Sequence, residues 1–340
     1  MALSLTFVLL GIGLALSFYM AWSLGANDAA TPTDCAVGAG VISLKKALIL
    51  FALFSMIGAL TQGFMVMTTI GKGLVPNIDL LGAITVVLAA CIWVTFCTWK
   101  GLEISNTHSV VGSVIGYGLI VHGTIDTRIV TGIALAWAIS PLLSATLAVL
   151  VYMALKRVFR RSINENRVQR AISLLLIGSL CFSAYCFGAN DVGNATGVYV
   201  TVAQKIGNMP DYNTMLLLAA FGSLGITIGG LTWGSRVVAT VAYKIVRLDP
   251  LSGLSAEVAN ALVIFLFVTL PYAAFGYGLP ISTSIASVGS IIGIGIAKDR
   301  HSINMSTIAR LVVTWIATPF ATAIMSATIY LLLSPFVPSM

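Results

Sequence analysis

Charge is what this 340-residue chain has least of. Asp, Glu, Lys and Arg make up 9% of it, against 58% hydrophobic residues, where soluble proteins carry roughly 25% charged residues. So few charges cannot cover a water-facing surface, so the composition excludes a soluble globular protein and predicts an integral membrane protein with no nucleic-acid partner. Cysteine is sparse and odd in number. Cys35, Cys91, Cys97, Cys181 and Cys186 include no C-x-x-C pair, so they read as buried small hydrophobes rather than a redox or metal set. The three histidines, His108, His122 and His301, are too scattered in sequence to suggest a metal cluster. The alternation of a membrane β-barrel is nowhere visible. The N-terminal apolar run lacks a basic flank and a cleavage site, so it reads as a retained helix rather than a signal peptide.

What is present is a series of apolar runs long enough for a hydrocarbon core of about 30 Å. They cover 3–24, 48–70, 80–99, 109–121 and 129–155 in the first half. The second half has 171–187, 215–242 (Gly-rich, with room for two crossings), 258–275, 281–297 and 308–333. The expectation is an all-α integral membrane protein of about ten to twelve transmembrane helices, because a helix satisfies its own backbone polar groups in lipid.

One hydrophilic break is strongly basic. Lys156, Arg157, Arg160, Arg161, Arg167 and Arg170 face a single acid, Glu165, which places the segment in the cytoplasm by the positive-inside rule and would also suit anionic lipid headgroups. It divides the chain into a first membrane repeat, 1–155, a linker, 156–170, and a second repeat, 171–340.

The repeat is written in motifs. Gly-Ala-Asn-Asp occurs at Gly25–Asp28 and again at Gly188–Asp191, 163 residues later. "SNTHSVVGSVIGYG" from Ser105 matches "STSIASVGSIIGIG" from Ser282 at a spacing of 177. If each half crosses the membrane an odd number of times, the repeats are inverted, with broken or re-entrant helices meeting at the midplane and both termini outside.

The motif residues suggest the chemistry. An aspartate at the centre of a bilayer helix costs roughly 2.5 to 3.5 kcal/mol, so Asp28 and Asp191 need a compensating role. One reading is helix capping by Asn27–Asp28 and Asn190–Asp191, with Gly-Ala allowing close approach or unwinding. The other is a cation, Na⁺ or H⁺, held at each carboxylate. Ser105-Asn106-Thr107 and Ser282-Thr283-Ser284 each precede a Gly-rich helical run, so they place hydroxyls and free N–H groups at helix N-termini, which attract anions. The alternative is that these are ordinary small residues of packed membrane helices. No basic residue lies in any of the four motifs. Anion and cation sites together point to cation-coupled anion uptake.

These motifs, with "GLPISTS" and "TWGSRVVATVAYKI", resemble the inorganic phosphate transporter family over essentially the whole chain. The resemblance implies import of phosphate with Na⁺ or H⁺ across the cytoplasmic membrane through two inverted repeats, with no enzymatic cofactor and a homodimer as a candidate assembly. By that resemblance Asn27, Asp28, Asn190, Asp191, Ser105, Thr107, Ser282, Thr283 and Ser284 match the family's ion and phosphate site; phosphate contacts are accordingly expected at Asn27, Ser105, Asn106, Thr107, Asn190, Ser282, Thr283 and Ser284, and cation contacts at Asp28, Asp191, Asn194 and Thr31, with Na⁺ the metal at the two aspartates. His108 is left to select the protonation state of phosphate, to carry a proton, or to act as an uncharged hydrogen-bonding group. Na⁺ is preferred to H⁺, because an aspartate's reference pKa near 3.9 leaves it ionised unless strongly desolvated.

Departures from the family pattern are local. Thr31 stands where a second asparagine is common, which Asn194 keeps in the other half. Ser55 stands where a glutamate is frequent, Ile285 replaces a histidine, and Glu103 replaces a proline. Glu257 and Arg236 fit family positions as either functional or scaffold residues, and Asp34 reads equally as a cap or a further cation ligand. A sulfate permease on the same scaffold and a membrane-embedded phosphotransferase are the alternatives. The motifs offer the latter no nucleophile beside a base and no metal cluster.

Overall fold

The computed structural model describes residues 2–76, 78–159, 165–200, 202, 212–299, 301 and 303–336. It is all helical, with no strand among the described residues. The first half contains α1 (Ala2–Asp28), α2 (Asp34–Gly38), α3 (Leu44–Gln62), α4 (Phe64–Thr68) running into a π-turn at Thr69–Gly73, α5 (Leu80–Trp99), α6 (Asn106–Ile120) and α7 (Thr127–Phe159). The second half follows with α8 (Glu165–Thr196), α9 (Tyr212–Trp233), α10 (Ser235–Lys244), α11 (Pro250–Phe275), α12 (Thr283–Lys298) and α13 (Met305–Leu333).

Among the described residues, eight helices are long and apolar enough to cross a membrane: α1, α3, α5, α7, α8, α9, α11 and α13. At 1.5 Å per residue, α6 and α12 extend only about 22 to 24 Å, short of a full hydrocarbon core. Counting these two half-length helices brings the set to the lower end of the expected ten to twelve. The run 215–242 does not supply two full crossings, because α9 breaks at Gly234 and α10 is ten residues long. The basic linker is helical at both ends, with Lys156 and Arg157 in the last turn of α7 and Arg167 and Arg170 in α8; Arg160 and Arg161 lie outside the described residues.

Helix starts follow local chemistry. Asp79 caps α5 by accepting from the Gly82 N–H at 2.7 Å, and Asp249 caps α11 in a reciprocal box with Ser252, with Pro250 in the first turn. These aspartates lie 170 residues apart and open corresponding helices of the two halves. Pro141 in α7 and Pro319 in α13 form another corresponding pair.

Glycine decides which helices touch. A Cβ at Gly25 of α1 would lie 1.9 Å from the Ile226 carbonyl oxygen of α9, and one at Gly188 of α8 would lie 1.8 Å from the Ser55 oxygen of α3. The partners reciprocate: Gly229 of α9 meets the Trp22 oxygen, and Gly58 of α3 meets the Tyr185 oxygen, both at 1.9 Å. Farther along, Gly112 and Gly116 of α6 sit against Pro319 and Ala323 of α13, as Gly289 and Gly293 of α12 sit against Pro141 and Ala145 of α7. Each of these four helix pairs joins one half to the other. Small residues let such backbones approach in lipid, where helix association has no hydrophobic drive.

Candidate functional site

The Asn-Asp pairs do not cap helices. Asn27 and Asp28 lie in the last turn of α1, and Asn190 and Asp191 lie inside α8, which continues to Thr196. The capping alternative is therefore corrected: Gly-Ala serves close approach, not unwinding, because Gly25 and Gly188 are where α9 and α3 come nearest. The amides instead clamp extended chain. Asn190 Nδ2 donates to the Ile281 carbonyl at 3.0 Å while Asn190 Oδ1 accepts from the Ile281 N–H at 3.2 Å. In the first half, Asn27 Nδ2 donates to Leu102 O (3.0 Å) and Thr98 Oγ1 (2.9 Å), and Asn27 Oδ1 accepts from the Ile104 N–H at 3.1 Å. A buried backbone group left without a partner costs about 1–3 kcal/mol, so each asparagine stabilises the break ahead of a half-length helix.

Those breaks end in matched caps. Ser105 and Ser282 share φ −84° and ψ 105°, and their hydroxyls accept from the N–H of His108 and Ile285. Two hydroxyls then tie the halves together. Thr107 Oγ1 donates to the Ile281 carbonyl at 2.8 Å, and Ser284 Oγ donates to the Ile104 carbonyl at 3.0 Å. The two bonds are the same contact made twice, each from one half to the other.

Around this seam the acids gather. Ser284 Oγ lies 3.5 Å from Asp28 Oδ1. Asp191 accepts from Asn190 Nδ2 (3.0 Å) and Asn194 Nδ2 (2.8 Å), and Asn194 Nδ2 also reaches Thr107 Oγ1 at 3.1 Å. Asp191 is close enough for its charge to act on Asp28. Thr31 Oγ1 donates to Glu103 Oε1 at 3.2 Å. Asn106 is 1% exposed and its amide lies beside the Asp28 carboxylate, yet neither its side-chain nitrogen nor its oxygen makes a hydrogen bond of normal geometry. Thr283, its counterpart, is also buried. Every residue assigned from the sequence to phosphate or cation, and His108 with them, is therefore buried, and the four motifs converge on one seam between the halves.

His108 is held by a consequence of proline. Pro319 has no N–H, so the carbonyl four residues earlier, Trp315 O, loses its helical donor. His108 Nδ1 lies 3.0 Å from that oxygen. Since a carbonyl only accepts, Nδ1 carries the proton. The ring also packs on Trp137, with centroids 3.7 Å apart. This geometry fixes the orientation of the ring, and the neutral and the charged imidazole meet it equally. Trp137 and Trp315, each four residues before a helix proline, escaped the sequence reading; their common offset from Pro141 and Pro319 was the signal. Arg236 lies on the exposed side of α10 over the Trp233 ring, 4.7 Å from its centroid. Glu257 is fully buried in α11.

Comparison with known proteins gives a consistent result. The model of the phosphate transporter family matches residues 24–326. A predicted phosphate permease of Pyrococcus horikoshii is 29% identical, with 93% of this chain and 96% of that protein covered. One from Chlamydia pneumoniae is also 29% identical, covering 91% and 94%. Among solved structures, a protein described as the sodium-dependent phosphate transporter superposes with a TM-score of 0.86 over 97% of this chain and 100% of its own, at 24% identity, which establishes the shared fold.

Proposed function

We propose, for a chain that belongs to the phosphate transporter family, that inorganic phosphate crosses the membrane together with a cation, Na⁺ in preference to H⁺, at the seam between the halves. The observation that carries this reading is the reciprocal pair of bonds from Thr107 to Ile281 O and from Ser284 to Ile104 O, which bring two capped helix N-termini and two aspartates to one place. Phosphate is assigned to the N–H groups and side chains at 105–107 and 282–284, with the Asn106 amide as its first contact, alongside Asn27 and Asn190. Cations are assigned to Asp28, Asp191, Asn194 and Thr31. No lysine or arginine is among the buried residues described, so the anion is held by dipoles and amides and can be released. The aspartates need a positive ion when ionised.

The halves are read as inverted repeats, 1–155 and 171–340, with segment 156–170 on the cytoplasmic side of the cell membrane and both termini outside. If net positive charge enters with each phosphate, an inside-negative potential drives accumulation by about 2.3 kcal/mol per charge per 100 mV.

The test is uptake of labelled phosphate into proteoliposomes under an imposed Na⁺ gradient, an imposed pH gradient or a K⁺-diffusion potential, with unlabelled sulfate as competitor. The expected result is Na⁺-dependent, voltage-stimulated uptake that sulfate does not compete for and that Asp28→Asn or Asp191→Asn abolishes. Undiminished uptake without Na⁺ under a pH gradient reassigns the coupling ion to H⁺. Gradient-driven uptake at the native rate in either variant refutes the cation-site assignment.

A further inference from the structure

Among the described residues five carboxylates are buried: Asp28, Asp34, Glu103, Asp191 and Glu257. The seam accounts for Asp28 and Asp191, and Glu103 takes a hydrogen bond from Thr31. Asp34 and Glu257 belong to neither. Asp34 opens α2, and Glu257 lies in the second turn of α11, yet one carboxylate oxygen from each and the Cys35 sulfur all fall within 4.8 Å of one another. Asp34 and Glu257 are 0% exposed and Cys35 1%. Neither Glu257 oxygen nor Asp34 Oδ1 has a hydrogen-bond partner in normal geometry, although the Cys35 thiol lies near both acids and the Ser183 hydroxyl near Glu257. The Asn260 carbonyl oxygen, one turn along α11 from Glu257, is also buried and unpartnered; its amide nitrogen is taken up by Ser183 Oγ at 3.2 Å.

Two ionised carboxylates so placed repel each other, and a cation between them or a proton on one of them relieves that repulsion. The position is also specific. Ser287 Oγ donates to Asp34 Oδ2 at 3.0 Å, three residues beyond Ser284, which faces Asp28. The two acids therefore meet the same side of α12 one turn apart, about 4.5 Å along its axis. The group is not a product of the repeat. Residues matching Asp34 and Cys35 in the second half are Gly197 and Val198, and the residue matching Glu257 in the first half is Val87.

We propose that Asp34 and Glu257, with Cys35 and Ser287 beside them, form a second cation site, separate from Asp28 and Asp191, that takes Na⁺. Oxygen dominates the ligand set, which suits a hard cation, and the thiol leaves the site open to soft metals as competitors. The choice of Na⁺ rests on the cation-coupled reading above; the grouping of ligands does not.

The experiment counts bound ²²Na⁺ at equilibrium in the detergent-purified full chain. Asp34→Asn and Glu257→Gln should each remove one Na⁺ per protein, Asp28→Asn should remove a different one, and the Asp28→Asn/Asp34→Asn double variant should lose both. Cys35→Ser, which replaces the soft sulfur with a hard oxygen, should retain the Na⁺ but require at least tenfold more Cd²⁺ to displace it; a variant that merely misfolds would not separate the two ions in this way. A native Na⁺ count in Asp34→Asn, as a proton shared by the two acids would give, overturns the proposal, as does unchanged Cd²⁺ potency in Cys35→Ser. If Asp28→Asn keeps its full count while Asp34→Asn loses one, the central assignment fails and this one stands.

Discussion

Replacing Gly25 or Gly188 with alanine adds a single methyl group, and the structure says where it goes. At Gly25 it would come within 1.9 Å of the Ile226 carbonyl oxygen and at Gly188 within 1.8 Å of the Ser55 oxygen. Ordinary carbon contacts begin near 3.5 Å, so α1 and α9, or α8 and α3, must part by about 1.5 Å. The obstacle is backbone, which no rotamer change removes. Overpacking costs about 1–3 kcal/mol, and the rigid obstacle puts these two sites at the upper end. Each helix holds its own control: Gly11 in α1 and Gly178 in α8 have nothing within 4 Å of an added Cβ. There alanine should be neutral or should stabilise by up to about 1 kcal/mol through helix propensity. Thermal unfolding in detergent reads the difference, with Gly25→Ala and Gly188→Ala several degrees below native and Gly11→Ala and Gly178→Ala at or above it. Because Gly25 lies one turn before Asp28, and Gly188 before Asp191, phosphate uptake should fall in the first pair only. Equal melting temperatures for Gly25→Ala and Gly11→Ala would refute the close-approach argument.

Two further outcomes follow from the hydrogen bonds. Asn190→Ala strips the partners from both the N–H and the C=O of Ile281; it should cost about 2–4 kcal/mol, toward the lower part of the range for two buried unpaired groups because refolding in lipid finds substitutes, and should abolish phosphate binding measured by equilibrium dialysis, whereas Ser179→Ala in the same helix, which loses only a local bond to Leu176 O, should leave binding intact. Half-burial pushes the Asp249 carboxyl up, but its contacts with the Lys298 ammonium and the Ser252 N–H pull it down further, leaving it below the usual range. Its contribution is therefore present above the unfolded aspartate's pKa, near 3.9, and is lost as pH falls through the lower folded value. Asp249→Asn should keep the cap and lower stability by less than about 1 kcal/mol at pH 7, Asp249→Ala should cost about 0.5–2 kcal/mol more, and the gap between native and Asp249→Asn melting curves should close as pH falls through the lowered folded value.

Much of this was legible in the sequence because it is local. Ser105 and Ser282 read as helix N-termini from the Gly-rich runs behind them, and the doubled motifs gave the register of the halves. What sequence could not supply was long-range. A helix ending at Asp28 and one running through Asp191 look alike when the chain on either side is equally apolar, so sequence leaves capping open, whereas in the fold Asn27 and Asn190 hold Ile104 and Ile281. Asp34 and Glu257 are 223 residues apart and outside the repeated pattern, so nothing linked them before the fold did. The proline-to-tryptophan offset in α7 and α13 was available as another point of register. Its meaning, a carbonyl freed for His108, required knowing that α13 packs on α6.

The exchange of helices between halves bears on how the chain matures. The glycine faces of α1 and α3 are shaped for α9 and α8, which lie more than a hundred residues downstream. When the ribosome has delivered α1 to α7, those faces have no permanent partner, and the first half must wait in the bilayer in a provisional arrangement. Pairings of such sequence separation are slow to find and leave incomplete chains open to wrong partners. Completion of α13, which closes over α6, is thus the step at which both halves reach their final packing together.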